Sequence, residues 1–208
     1  MKKRKIFFDL DGTLIDSSIR MYHLFCLLSK NCKMSYDEYW NIKRQGVSQK
    51  QLLMKYFNYP ESECEIFHNK WMNNIENDDL LLFDKLFNDS IEILTNVFDN
   101  NDLFVVTSRQ KKENTRSQLK KLQIDKFFQD ILITEQKTDK YLIIKNNVFN
   151  INNNDIIIGD TKEDIETGIK LGIKKFAVTT GMLSYERLKT YNPDKIYKNL
   201  TELYFEIC

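Results

Sequence analysis

Glycine and proline are scarce in this chain, with 6 and 2 among 208 residues. That excludes flexible linkers and low-complexity architecture, so boundaries must be sought in changes of hydrophobic period. Histidine is scarcer still (His23 and His68), and the four cysteines, Cys26, Cys32, Cys64 and Cys208, form no C-x-x-C pair. Neither a zinc site nor a disulfide scaffold is expected, and the thiols should stay reduced. No apolar run approaches bilayer length. The basic start, Met1 to Lys5, leads into an apolar stretch that Asp9 and Asp11 cut too short for a secretory signal. The protein is therefore expected to be cytoplasmic, with no membrane partner. Excess charge of either sign is also missing: 31 Lys+Arg against 30 Asp+Glu leave +1. Such a balance gives no field for a phosphate backbone, so no nucleic-acid partner is expected.

What is present is 42% hydrophobic and 12% aromatic content, enough for a sizeable core in one domain or a domain with an insert. Ile6 to Phe8 is a short apolar run ending in Asp-Leu-Asp-Gly-Thr, a buried strand feeding a turn. From about Ser17 to Ile75 the apolar residues recur at helical spacing, as in Met21, Leu24, Phe25, Leu28 and in Leu52, Leu53, Tyr56, Phe57. After about Leu80 the pattern alternates. Helical segments at 91–98, 111–122, 141–148 and 162–171 precede apolar strands at 103–106, 131–133, 155–158 and 175–178, with a minor edge strand at 195–197 and a closing helix at 200–205. Continuous apolar strands alternating with helices predict an α/β fold, its parallel sheet covered on both faces. The Asn-rich stretch 146–154 reads as a surface connection.

In such a sheet, ligands bind beyond the carboxyl ends of the strands. Those ends carry Asp9, Asp11 and Gly12, then Thr107-Ser108-Arg109, then Lys137 and Lys140, then Gly159-Asp160 through Asp164. Converging carboxylates repel unless a cation joins them, and hard oxygen ligands without Cys or His point to Mg²⁺.

In this order the four segments resemble the motifs of the haloacid dehalogenase-like hydrolases, and the match spans nearly the whole chain. The helical stretch is similar to the cap of the phosphoglycolate phosphatase and β-phosphoglucomutase branch. The resemblance implies a Rossmann-like core formed by 1–16 and 80–208, with an α-helical cap at 17–79. It implies a phosphatase acting on a small phosphorylated metabolite, as a monomer or homodimer, with Mg²⁺ as cofactor. Asp9 would be the nucleophile and Asp11 the general acid and base. Asp9, Asp160 and the Asp11 carbonyl would hold the metal, and Gly12 would let the backbone turn beside the phosphate. Thr107, ahead of Ser108, would bind phosphate oxygens, and a lysine would neutralise charge. Asp164 would act behind the metal or as the far member of a capping box with Thr161.

The family's third motif often reads Lys-Pro-x-Pro; here it is Lys137-Thr-Asp-Lys140. Lys137, just before the expected helix, is the first choice and Lys140 the rival. Thr107 or Ser108 could instead serve as a helix N-cap, a role compatible with phosphate binding. Arg20, His23 and the stretch Arg44 to Gln49 could face substrate or solvent; Trp40 and Trp71 are expected to be packing residues. Two other functions remain open. One is a sugar-phosphate mutase, disfavoured by Gln49 where those relatives carry a basic cap residue. The other is a non-catalytic binding protein, which would be expected to have lost Asp9 or Asp11.

Overall fold

A computed structural model describes residues 3–30 and 32–208. The first two residues of the basic lead-in lie outside them. The elements in chain order are β1 (Arg4–Phe8), β2 (Ile15–Asp16), α1 (Ser18–Leu28), α2 (Tyr36–Arg44), α3 (Gln49–Phe57), α4 (Glu61–Asn74), α5 (Asp78–Leu81), β3 (Lys85–Leu86), α6 (Ser90–Phe98), β4 (Asn101–Thr107), α7 (Lys112–Lys121), β5 (Asp130–Ile133), α8 (Lys140–Asn147), β6 (Ile156–Gly159), α9 (Lys162–Leu171), β7 (Lys174–Val178), α10 (Tyr185–Lys189), β8 (Lys195–Tyr197) and α11 (Leu200–Ile207).

Six strands form one sheet in the order β5-β4-β1-β6-β7-β8, each neighbouring pair parallel. The chain leaves β1 for one side, builds β4 and β5, then returns to build the other side. β1 is thus the point where strand order reverses, and a crevice opens beyond its carboxyl end. Side-chain alternation shows why the strands are apolar throughout. Ile6 and Phe8 join one core cluster with Leu103, Val105, Ile156 and Ile158, while Phe7 joins another with Phe104, Val106 and Ile157. Both faces are buried under helices, as the unbroken runs of Ile, Val and Phe require. Phe7 and Phe104 stack across neighbouring strands, ring centroids 5.2 Å apart.

The antiparallel β2–β3 pair was not legible in the sequence. Two residues per strand carry no measurable period, yet they tie together the two points where the chain leaves and re-enters the sheet region. The helices between them bury their own cluster, centred on Phe25, Tyr39, Leu52, Leu53 and Phe67. Ser35 and Ser48 cap α2 and α3, each reciprocally with the third helical residue, Glu38 and Gln51. One expectation fails here. Cys26 and Cys32 meet as a disulfide across the turn after α1, whereas Cys64 and Cys208 are free. The two lie only six positions apart, a spacing that also suits a local turn in which the thiols stay apart.

Lys43 on α2 is 6% exposed and gives its ammonium group to the Val47 carbonyl. Burial pulls its pKa down to about 8. The folded state therefore binds this proton less tightly than the unfolded chain does. The resulting penalty is complete below about pH 8 and vanishes above the unfolded value of about 10.4. Lys43→Met is expected to stabilise the protein by roughly 1–3 kcal/mol at pH 7 and by little at pH 10.5, measured from urea midpoints at the two pH values.

Candidate active site

The carboxyl ends of the central strands deliver the site. Asp9 follows β1 directly, its backbone N–H held by the Ile158 carbonyl of β6 at 2.8 Å. Asp160 follows β6, and Asp164 lies in the first turn of α9. All three are buried, and one carboxylate oxygen from each falls within 4.8 Å of the others. Burial, followed by Asp164, pushes Asp160 up to about 7, and burial drives Asp9 well above the carboxylate range.

Lys140 closes the cluster from the first turn of α8. Its ammonium donates to Asp9 Oδ1 at 2.5 Å and to Asp164 Oδ1 at 2.6 Å. Burial would discharge this lysine, but Asp164 and Asp9 outweigh it and hold its pKa above the usual lysine value. Lys137, the first choice from sequence, is not brought to the site. It is exposed and pairs with Glu135 at 3.3 Å. Between β5 and α8 the chain takes two consecutive left-handed residues, Glu135 and Gln136 (φ 52° and 54°). The helix then starts at Lys140, one residue before the expected 141, and it is this first-turn lysine that is buried.

Asp160 Oδ2 accepts the Met182 N–H at 2.5 Å, while Oδ1 is buried without a hydrogen-bond partner. An orphaned carboxylate oxygen beside the Asp9 carboxylate is the donor set a hard divalent cation fits. The wall behind it is backbone. Gly12, at φ 86°, has no room for a Cβ, which would lie 2.5 Å from Asp160 Oδ2 and 2.9 Å from the Gly181 Cα. Gly181 faces the same carboxylate from the other side. It was missed from sequence because nothing marks a glycine after a strand end as a contact. Asp164 is the far member of the expected capping box: Oδ2 accepts the Thr161 N–H at 3.0 Å and the Thr161 hydroxyl at 2.6 Å, while Oδ1 holds Lys140.

The Asp11 side chain turns away from this cluster. Oδ1 takes Arg20 at 2.5 Å and Arg109 at 2.8 Å, and Oδ2 takes Arg109 at 2.7 Å. Burial opposes its ionisation, but Arg109 and Arg20 prevail and hold the carboxyl far below its usual range. Both guanidiniums also pair with the fully buried Asp84, at 3.0 and 3.1 Å. No motif flags Asp84, and Arg20 was expected to face substrate or solvent. Their pairing joins segments 64 residues apart in sequence.

Thr107 ends β4 and lines the cleft with Ser108, whose hydroxyl goes to Glu163 at 2.8 Å. Arg44 does not reach the cleft; it hooks the Thr179 and Gly181 carbonyls at 2.9 and 2.8 Å. The cleft has a volume of about 230 Å³; Trp40 and Trp71 pack against the helical cluster, as expected, and also line the cleft. His23 instead stacks on Phe83.

A doubly covered parallel sheet with a buried acidic cluster at its switch point places the molecule among α/β enzymes of Rossmann-like architecture. The family described as Haloacid dehalogenase-like hydrolase matches residues 6–178, and the chain belongs to it. A protein from Caldanaerobacter subterraneus subsp. tengcongensis, provisionally named the pyrophosphatase PpaX, is 22% identical over 223 residues, covering 98% of this chain and 94% of that one. The structure of a haloacid dehalogenase-like hydrolase from Streptococcus pneumoniae superposes with a TM-score of 0.78 at 25% identity, covering 97% and 96% of the two chains. YfnB of Bacillus subtilis, provisionally named a hydrolase of this family and solved bound to magnesium, gives 0.70 at 18% identity over 100% and 99%. Among the described residues, no helix is long and apolar enough to cross a membrane.

Proposed function

We propose that this protein is a Mg²⁺-dependent phosphatase that hydrolyses a small phosphorylated metabolite through a phosphoryl group carried on Asp9. The observation that carries the reading is the burial of Asp9 and Asp160 side by side, with one Asp160 oxygen unpartnered and Lys140 against Asp9. When bound between Asp9, Asp160 and the Asp11 carbonyl, Mg²⁺ would supply the positive charge that lets a carboxylate and a phosphate meet. Asp9 attacks phosphorus as the bond to the leaving oxygen breaks, and Asp11 passes its proton to that oxygen. Water then attacks the aspartyl-phosphate while Asp11 takes its proton, releasing phosphate and restoring Asp9. Thr107 and the backbone around Gly12 hold phosphate oxygens, and Lys140 balances charge on Asp9 and the phosphoryl group. Asp11 must leave at least one guanidinium before it can carry a proton, and Arg20 sits on α1 of segment 17–79, which we take as the lid. Gln49, the place of a mutase's basic residue, is not among the residues lining the cleft, so nothing favours a mutase.

Purified protein is expected to hydrolyse p-nitrophenyl phosphate with Mg²⁺ and to lose that activity in EDTA. Mg²⁺ should also raise the thermal midpoint of the wild type and leave that of Asp160→Asn unmoved. Equal activity with and without chelator would refute the reading.

A further inference from the structure

Resting on the proposed hydrolysis, we infer that the leaving group of the substrate is uncharged and apolar or aromatic, and carries no second anion. The apolar lining that the helical segment gives the cleft is Met21, Trp40, Trp71, Met72 and Ile75. Trp71 is backed by Phe67 and Trp40 by Tyr36, in stacked arrangements at 6.1 and 6.4 Å between ring centroids, so each indole is braced from behind. Two braced indoles with thioethers beside them offer apolar contact and a π face to a flat or aliphatic group.

The charge around the cleft points the same way. Among the described residues lining it, the cations are Arg20, Arg109 and Lys140, at most 4% exposed. Each is already engaged by two carboxylates: the arginines by Asp11 and Asp84, the lysine by Asp9 and Asp164. The lining carboxylates are Asp9, Asp11, Glu76, Asp160 and Glu163. Glu76 is taken by the backbone N–H groups of Gln110 and Lys111, both at 2.7 Å. A phosphoryl dianion and a divalent cation cancel each other and leave this acidic excess in place. Asp84 still holds both guanidiniums when Asp11 leaves one of them, so a carboxylate or second phosphate on the leaving side would meet no free cation, an unfavourable burial of charge. The cleft therefore selects against phosphoglycolate and pyrophosphate, although the cap branch and one relative carry those names.

The test compares kcat/KM of the wild-type enzyme with Mg²⁺ on benzyl phosphate, ethyl phosphate, 2-phosphoglycolate and pyrophosphate. The leaving alcohols of the first three have similar basicity, so recognition dominates the comparison. Benzyl phosphate is expected to exceed both anionic substrates at least about tenfold, a discrimination typical of one well-made apolar contact. Trp71→Ala or Trp40→Ala should narrow the benzyl-to-ethyl ratio at least about threefold. Equal or faster turnover of 2-phosphoglycolate or pyrophosphate overturns the inference while leaving the hydrolysis intact, as does an unchanged ratio in both variants. No turnover of any of the four overturns both.

Discussion

Asp9→Asn is expected to lower kcat by on the order of 10⁴-fold or more, because an amide oxygen cannot form the covalent phosphoryl intermediate. The fold should survive. Asp9 is one of three carboxylates crowded into a buried space, where ionisation is disfavoured chiefly by burial. Removing one negative charge relieves repulsion on Asp160 and Asp164, while Lys140 keeps Asp164 as a partner. The urea midpoint without metal should therefore move little, whereas the Mg²⁺-induced rise should shrink. Activity retained within tenfold of wild type would show that another group attacks phosphorus.

Lys140→Met should be damaging in two ways that Lys137→Met is not. Lys140 is 2% exposed and is the one cation between two buried carboxylates. Removing one member of such a group leaves uncompensated buried charge, at about 3–5 kcal/mol. Turnover should fall by on the order of 10²-fold, with the lost charge stabilisation at the phosphoryl group. Lys137 is 77% exposed at its side chain and holds only Glu135. Its replacement should change stability by less than about 0.5 kcal/mol and kcat/KM by less than about twofold. Chemical denaturation and steady-state kinetics on both variants decide the assignment; comparable losses in the two would reverse it.

The difference between these lysines shows where sequence reading reached its limit. The central strands were legible because residues buried on both faces leave no polar residue to break the run, as at Ile6 to Phe8 and Ile156 to Ile158. The positions of Asp9, Thr107 and Asp160 followed, since each sits where an apolar run stops. Lys140 was not separable from Lys137, because both lie within a few residues of the expected helix start and only packing buries one of them. Arg20, Arg109 and Asp84 formed no pattern, since an ion-pair network spanning three elements is a property of packing alone. The Cys26–Cys32 pairing was likewise invisible from composition.

The hook of Arg44 has a mechanical consequence. Its two acceptors, Thr179 and Gly181, adjoin Met182, whose N–H steadies Asp160. On the proposed reading, an outward swing of the helical segment would tug on the loop whose Met182 N–H holds Asp160. Because Arg44 lies four residues after Trp40 on α2, the proposed substrate entry and ion retention would be two ends of one lever.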